Sequence, residues 1–309
     1  MKNWLSFAMI LLAGAAPLAA QDGSGLAPSQ IVAAASRADW RLIAPADLLV
    51  MDLAPDANGK ARRVVIQLLP PPFSQGWIDN IRTLAAAHWW DGLAVTRVQD
   101  NYVAQWGDPD GEDKAKARPL PPGLKVVPEQ DYTAPLSRSA PAAAQMLSHG
   151  DAYAPQTLLQ GGWPLGRDAG AQWPVHCYGM VGVGRNLSPD TGSGAELYAV
   201  IGHAPRHLDR NIALVGRVIE GIELLSSLPR GTGALGAYET RAEQVPIRSI
   251  RLGNMVPGLP AYEYLATDSA TFARYADARA NRRDAFFIRP ADGADICNVP
   301  VPVRRVPAR

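Results

Sequence analysis

Eight short runs rich in Val, Ile, Leu and Tyr, each closed by turn residues, constrain this chain more than any other feature. They are LLVMDL (48–53), RVVIQLL (63–69), LAVTRV (93–98), YVAQW (102–106), YGMVGVG (178–184), ELYAVIG (196–202), ALVGRV (213–218) and IRSIRL (247–252). Runs of this length suit β-strands, and eight of them predict a mainly β domain, either a sandwich or a barrel. The chain has 309 residues, 47% of them hydrophobic, which is enough to bury a real core. Two segments carry helical spacing instead. GWIDNIRTLAAA places Ile78, Ile81, Leu84 and Ala85 on one face, and the shorter IEGIELLSSL ends at Pro229.

The first residues, MKNWLSFAMILLAGAAPLAAQDGSG, join one Lys to an apolar run from Trp4 to Leu12 and then small residues up to Ala20. That pattern predicts a signal peptide over 1–20 followed by a linker over 21–46. The expected product is exported and periplasmic, with no membrane span, since no later stretch reaches the ~20 apolar residues a membrane helix needs. Thirty basic residues against 29 acidic ones give a net charge of +1. That balance leaves no electrostatic footprint for nucleic acid or an anionic membrane surface.

The chain has two cysteines, Cys177 and Cys297. In an oxidising compartment they could pair and tie the C-terminal extension to the main domain, or both could be buried free thiols. Between the fourth and fifth runs lies a stretch, about 109–172, dense in Pro, Ala, Gly and charge. Its prolines argue for loop, and loops of this length inside a compact domain are either functional or disordered. Residues 254–309 form an extension with one weakly helical piece, SATFARYADARANRRDAFF.

Three motifs lack the context their chemistry needs. GTGALG (231–236) fits Gly-x-Gly-x-x-Gly but follows a helix-like segment and Pro229, not a strand, so it does not read as a dinucleotide loop. His203 and His207 stand four apart with Pro205 between them, which disfavours a helical metal pair. RANRR (279–283) reads as a solvated helix face.

The segment IDNIRTLAAAHWWDGLAVTRVQDNYVAQWGDPDG resembles the cyclophilin-type peptidyl-prolyl isomerases. The family pattern Asn-Phe-Arg, Tyr-Asp-Gly, Phe-His-Arg-Val and Phe-Met-Ile-Gln-Gly-Gly-Asp corresponds here to four collinear pieces. They are Asn80-Ile81-Arg82, Trp90-Asp91-Gly92, Val95-Thr96-Arg97-Val98 and Tyr102-Val103-Ala104-Gln105-Trp106-Gly107-Asp108. YGMVGVGR, SGAELYAVIG and HLDRNIALVGRVIEGIELLSSL resemble later family blocks in the same order. The resemblance covers about 47–108 and 177–253. It implies a closed eight-stranded antiparallel barrel over 47–253, capped by two helices, with the Pro-rich insertion and the C-terminal extension added to it.

The resemblance implies an isomerase of proline-containing polypeptides, monomeric, needing no cofactor or metal. It assigns Arg97 and Gln105 to catalysis, and Tyr102, Val103, Tyr198 and Leu208 to the receptacle for the proline ring. A cationic donor beside the prolyl nitrogen would stabilise the twisted amide more than either planar form. The chain also departs from the family. Glu196 replaces a substrate-binding glutamine and adds a carboxylate that could pair with Arg97. Ile212 takes the place of a strand histidine, and Arg206 or His207 that of a loop tryptophan. Tyr102 and Tyr198 replace phenylalanines, so their hydroxyls need partners. The expected function is to assist folding of exported proteins. The alternatives are a catalytically weak peptide-binding module of the cell envelope and a structural envelope protein.

Overall fold

The computed structural model describes residues 25–136, 145–148 and 150–307, so the leader expected at 1–20 lies outside the described residues. Each of the eight runs forms a strand: β1 Leu48–Leu53, β2 Arg62–Leu68, β3 Ala94–Val98, β4 Val103–Gly107, β5 Met180–Val183, β6 Leu197–Val200, β7 Leu214–Glu220 and β8 Val245–Leu252. They close into one barrel in the order β5-β6-β4-β3-β8-β1-β2-β7, with every neighbour antiparallel. Helix α1 (Gln75–Ala86) packs Trp77, Ile78, Ile81, Leu84 and Ala85 into the core, and α2 (Ile222–Ser226) follows β7.

Side chains alternate across each strand, so one register faces the barrel interior and the other faces out. In β1, Leu49, Met51 and Leu53 join the main core. Leu48, on the opposite face, joins a second cluster with Val65, Ile43 and Tyr262. Both faces of this wall are apolar because something covers the outside. The cover is a three-stranded sheet of residues Trp40–Ile43, Tyr262–Leu265 and Val303–Arg305. The segment expected as linker therefore forms a helix (Pro28–Ala33) and a strand that pairs with the C-terminal extension. Helix α3 (Ala270–Ala280) lies in the weakly helical piece and is capped by Ser269 Oγ, which accepts from Phe272 N at 3.0 Å. Cys177 and Cys297 form a disulfide, with Cα atoms 5.1 Å apart, that fastens the extension just ahead of β5.

The insertion departs from the loop reading in its second half. Residues Ala134–Pro135, Gln145–Ser148, Gln156–Gln160, Trp163–Arg167 and Ala171–Pro174 make a five-stranded antiparallel sheet. Pro135, Pro164 and Pro174 sit within or at the ends of these strands, and Leu158, Leu159, Trp163, Leu165 and Trp173 are buried. This density of buried aromatic and branched residues outweighs the local cost of proline. Arg217 anchors the sheet to the barrel. Its Nη1 donates to the Gly162 carbonyl at 2.7 Å, its Nε and Nη2 donate to Gln67 Oε1, and its guanidinium lies 4.4 Å from the centroid of Trp163.

The first half of the insertion remains irregular and is held by α1. Asn80, 1% exposed, donates to the carbonyls of Lys125 and Ser193 and accepts from Lys125 N at 2.7 Å. Trp77 stacks on Tyr132 with centroids 5.4 Å apart. Among the described residues, no helix is long and apolar enough to cross a membrane.

Candidate active site

Strand register gathers the site on the outer face of the barrel. Gly182 of β5 lies opposite Tyr198 of β6, Tyr198 opposite Gln105 of β4, and Gln105 opposite Arg97 of β3. Residues directly opposite on neighbouring strands share a face. Val103, two residues from Gln105, and Val200, two from Tyr198, lie on that face too. Val103, Tyr198 and Val200 form a small apolar cluster, with Tyr102 and Ile212 packed at its rim. The odd positions of β4 and the even positions of β6 thus build the site, while Ala104, Trp106, Leu197 and Ala199 fill the barrel.

Arg97 is held rigidly at the edge of this cluster. Its Nε donates to the Leu235 carbonyl at 2.7 Å, Nη1 donates to Gln105 Oε1 at 2.9 Å, and Nη2 donates to Gln99 Oε1. A guanidinium carries five N–H donors, so one on Nη1 and one on Nη2 remain after these three bonds. The cation also stands 5.8 Å from the centroid of Tyr102, within range of attraction by the ring. Partial burial lowers the Arg97 pKa, and the nearby Tyr102 and Glu196 oppose that shift.

Two of these partners were not visible as site residues in the sequence. Gln99 stands two residues from Arg97 along one extended segment, so alternation offered a signal for it. The Leu235 carbonyl comes from GTGALG, whose function is conformational. Gly236 has φ +78°, and a Cβ there would fall 2.7 Å from Gln99 Cα and 2.8 Å from the Val98 carbonyl. Glycine lets this loop lie flat on the end of β3 and present a carbonyl to the arginine.

Glu196 does not pair directly with Arg97. Gln105 stands between them, donating through Nε2 to Glu196 Oε1 and accepting from Arg97 through Oε1. A carboxylate only accepts, so it fixes which end of the Gln105 amide faces the arginine. Burial raises the Glu196 pKa, and the bond from Gln105 opposes that shift. Beside these three side chains opens a cavity of about 630 Å³ whose floor also includes Gly184, Ala195 and Tyr238. The apolar cluster does not line this cavity, and Arg97 stands at the boundary between them.

Leu208 lies outside the apolar cluster, half-buried on a 3-10 turn (Arg206–Leu208) that leads to Ile212. Arg206 is buried and faces away into the structure. Its Nε donates to Asp209 Oδ2 at 2.6 Å and its Nη1 donates to Asp151 Oδ2 of the insertion at 2.7 Å. His203 and His207 are exposed. Behind the cluster, the Tyr198 hydroxyl meets Nε2 of the buried His176 at 3.0 Å, and His176 Nδ1 meets Asp209 Oδ1 at 2.9 Å. Nothing in the sequence pattern singled out His176 for this role.

The sequence pattern of the family described as "Cyclophilin type peptidyl-prolyl cis-trans isomerase/CLD" matches residues 76–252. The chain belongs to the cyclophilin-type peptidyl-prolyl isomerases. Among solved structures, it is similar to the cyclophilin AquaCyp293 from Hirschia baltica, with a TM-score of 0.64 and 20% identity over 86% of this chain and 92% of that one. A cyclophilin-type isomerase from Cryptosporidium parvum is also similar, with a TM-score of 0.38 and 11% identity over 66% of this chain and 98% of that one. No curated protein sequence matches the chain. As a cyclophilin it is a peptidyl-prolyl cis–trans isomerase acting on proline-containing peptides, built on a barrel enlarged by the inserted sheet and the C-terminal extension.

Proposed function

We propose that this cyclophilin isomerises prolyl bonds without covalent chemistry, with Arg97 as the catalytic residue and exported proteins as its substrates. A peptide bond resists rotation by ~18–20 kcal/mol because its nitrogen lone pair is conjugated with the carbonyl. Twisting breaks that conjugation and returns the lone pair to the prolyl nitrogen. A fixed N–H donor facing the nitrogen then gains strength only near the twisted state, so it lowers the barrier without tightening the ground state.

The observation that carries this reading is the threefold clamp on Arg97 by Leu235, Gln105 and Gln99, which leaves two N–H groups for substrate at the rim of an apolar cluster. Such a donor needs no reorganisation during reaction. Val103 and Tyr198, with Tyr102 at the rim, would receive the proline ring, and Gln105 would hold both the arginine and the substrate backbone. The leader pattern and the disulfide support an exported, periplasmic setting.

The test is NMR exchange spectroscopy on the peptide Ala-Ala-Pro-Phe. Wild type should accelerate cis–trans exchange, and Arg97→Ala should lower kcat/KM by about 10²- to 10³-fold, as for loss of a transition-state donor elsewhere. A wild type that binds the peptide without accelerating exchange would favour the alternative of a peptide-binding module. The carboxylate of Glu196, drawing on Gln105, is the observation on the side of that second reading.

A further inference from the structure

We propose that Glu196 makes this enzyme selective for prolyl peptides that carry a cationic side chain, Lys or Arg, within two residues of the proline. The inference rests on the active site proposed above and adds the class of substrate that the adjoining cavity admits.

Glu196 is the acid on the cavity wall closest to the catalytic arginine, being one hydrogen-bonded side chain away. Its Oε1 accepts from Gln105, while its Oε2 takes no hydrogen bond and its carboxylate no salt bridge among the described residues. The approach to Oε2 is open because residue 184 is glycine: a Cβ there would fall 3.1 Å from that oxygen and 2.9 Å from Cγ. A half-buried carboxylate with one uncommitted oxygen at a cavity wall is a poor surface for an anion and a good one for a cation.

None of the three arginines lining the same cavity forms a salt bridge with Glu196 among the described residues. Arg185 donates to the Asn211 and Asn186 carbonyls, Arg118 donates to the Trp89 and Asp91 carbonyls, and Arg97 is clamped as described. The other acids on the wall, Asp108 and Asp190, accept from backbone N–H groups, which leaves their charge in place, and Glu112 is exposed. The wall therefore holds four carboxylates against three guanidiniums, one of which faces the prolyl nitrogen. The cavity, about 630 Å³, has room for a long side chain.

The experiment measures exchange rates for Ala-Ala-Pro-Phe and for variants with Lys or Glu at each non-proline position, using the full mature chain and its Glu196→Gln variant. In wild type, at one of these positions, Lys should exceed Glu by roughly tenfold in kcat/KM, and Glu196→Gln should bring that ratio to about one or below. The wild-type ratio should also shrink as salt rises from about 0.01 M to about 1 M, where the screening length falls from ~30 to ~3 Å. This arm needs no variant. Equal rates for Lys and Glu peptides in wild type, or a preference that survives Glu196→Gln, would overturn the proposal. If wild type accelerates none of the peptides, the isomerase reading fails separately. The ratio of dissociation constants for the Lys and Glu peptides, read by NMR titration of each into the protein, then decides the charge preference in its place.

Discussion

The hydroxyl of Tyr198 lies 3.0 Å from Nε2 of His176, and both side chains are buried. His176 Nδ1 faces the acceptor Asp209 Oδ1, so the neutral ring carries its proton on Nδ1 and Nε2 accepts from the tyrosine. This arrangement explains how a tyrosine is accommodated in the apolar cluster with Val103 and Val200. Gly182, opposite Tyr198, makes the space, since a Cβ there would fall 2.3 Å from the tyrosine Cζ and hydroxyl oxygen.

The two ends of that bond should be coupled, so that losing both costs less than the sum of losing each. Tyr198→Phe leaves Nε2 buried without a donor, a loss of about 1–3 kcal/mol. His176→Phe removes a partner from both Tyr198 and Asp209 and should cost at least as much. Denaturant unfolding of the two single variants and the double variant should give a coupling of about 0.5–3 kcal/mol; additive losses would mean that the bond contributes nothing to stability.

Burial lowers the His176 pKa below its ordinary value of 6.5, with Asp209 opposing the shift. Because the folded state binds its proton less readily than the unfolded state, stability is complete above pH 6.5 and declines as pH falls from there toward the folded pKa. Thermal unfolding followed from pH 8 to pH 5 should show a falling midpoint for wild type. His176→Gln should be flatter across the part of this window near pH 6.5, where few carboxylates titrate. An equal slope in both proteins would assign the acid sensitivity elsewhere.

The clamp on Arg97 depends on Gly236. Gly236→Ala would put a Cβ against the Gln99 and Val98 backbone at a φ of +78°, lifting the Leu235 carbonyl away from Nε. Overpacking of this kind costs about 1–3 kcal/mol. The more telling outcome is kinetic: kcat should fall several-fold while KM for Ala-Ala-Pro-Phe changes little, because the loop touches the arginine and not the apolar cluster. A rise in KM at constant kcat would contradict this role.

Alternation within each strand was legible in the sequence, and it already separates Val103 and Gln105 from Ala104 and Trp106. Register was not, because the pairing of Arg97 with Gln105 depends on an irregularity between Val95 and Arg97 that no local pattern announces. The inserted sheet was hidden for a different reason. Proline density dominates the local signal there, whereas its strands are stabilised by Trp163 and Trp173 packing at long range. His176 was hidden because a buried polar residue is identified by partners distant in sequence, here Tyr198 and Asp209.

The disulfide should reinforce the attachment of the C-terminal extension to the barrel. Cys177 and Cys297 are 120 residues apart, and closing a loop of that length restricts the unfolded chain strongly, by up to about 5 kcal/mol in the chain-entropy account and ~2–4 kcal/mol in typical measurements. The extension also covers Leu48 and Val65 on the outer wall of β1 and β2, so loosening it exposes apolar surface on the barrel itself. Unreduced, denatured protein should therefore show no reactive thiol. Cys177→Ser/Cys297→Ser should unfold at lower denaturant concentration, and hydrogen exchange should rise first in Tyr262–Leu265 and Trp40–Ile43, the strands paired to each other over that wall. Arg97 lies on β3, away from this cover, so isomerase activity at low temperature should survive the loss of the cross-link. Simultaneous loss of activity and of protection in the covering sheet would show that the extension supports the face that carries Arg97 and not only the wall it covers.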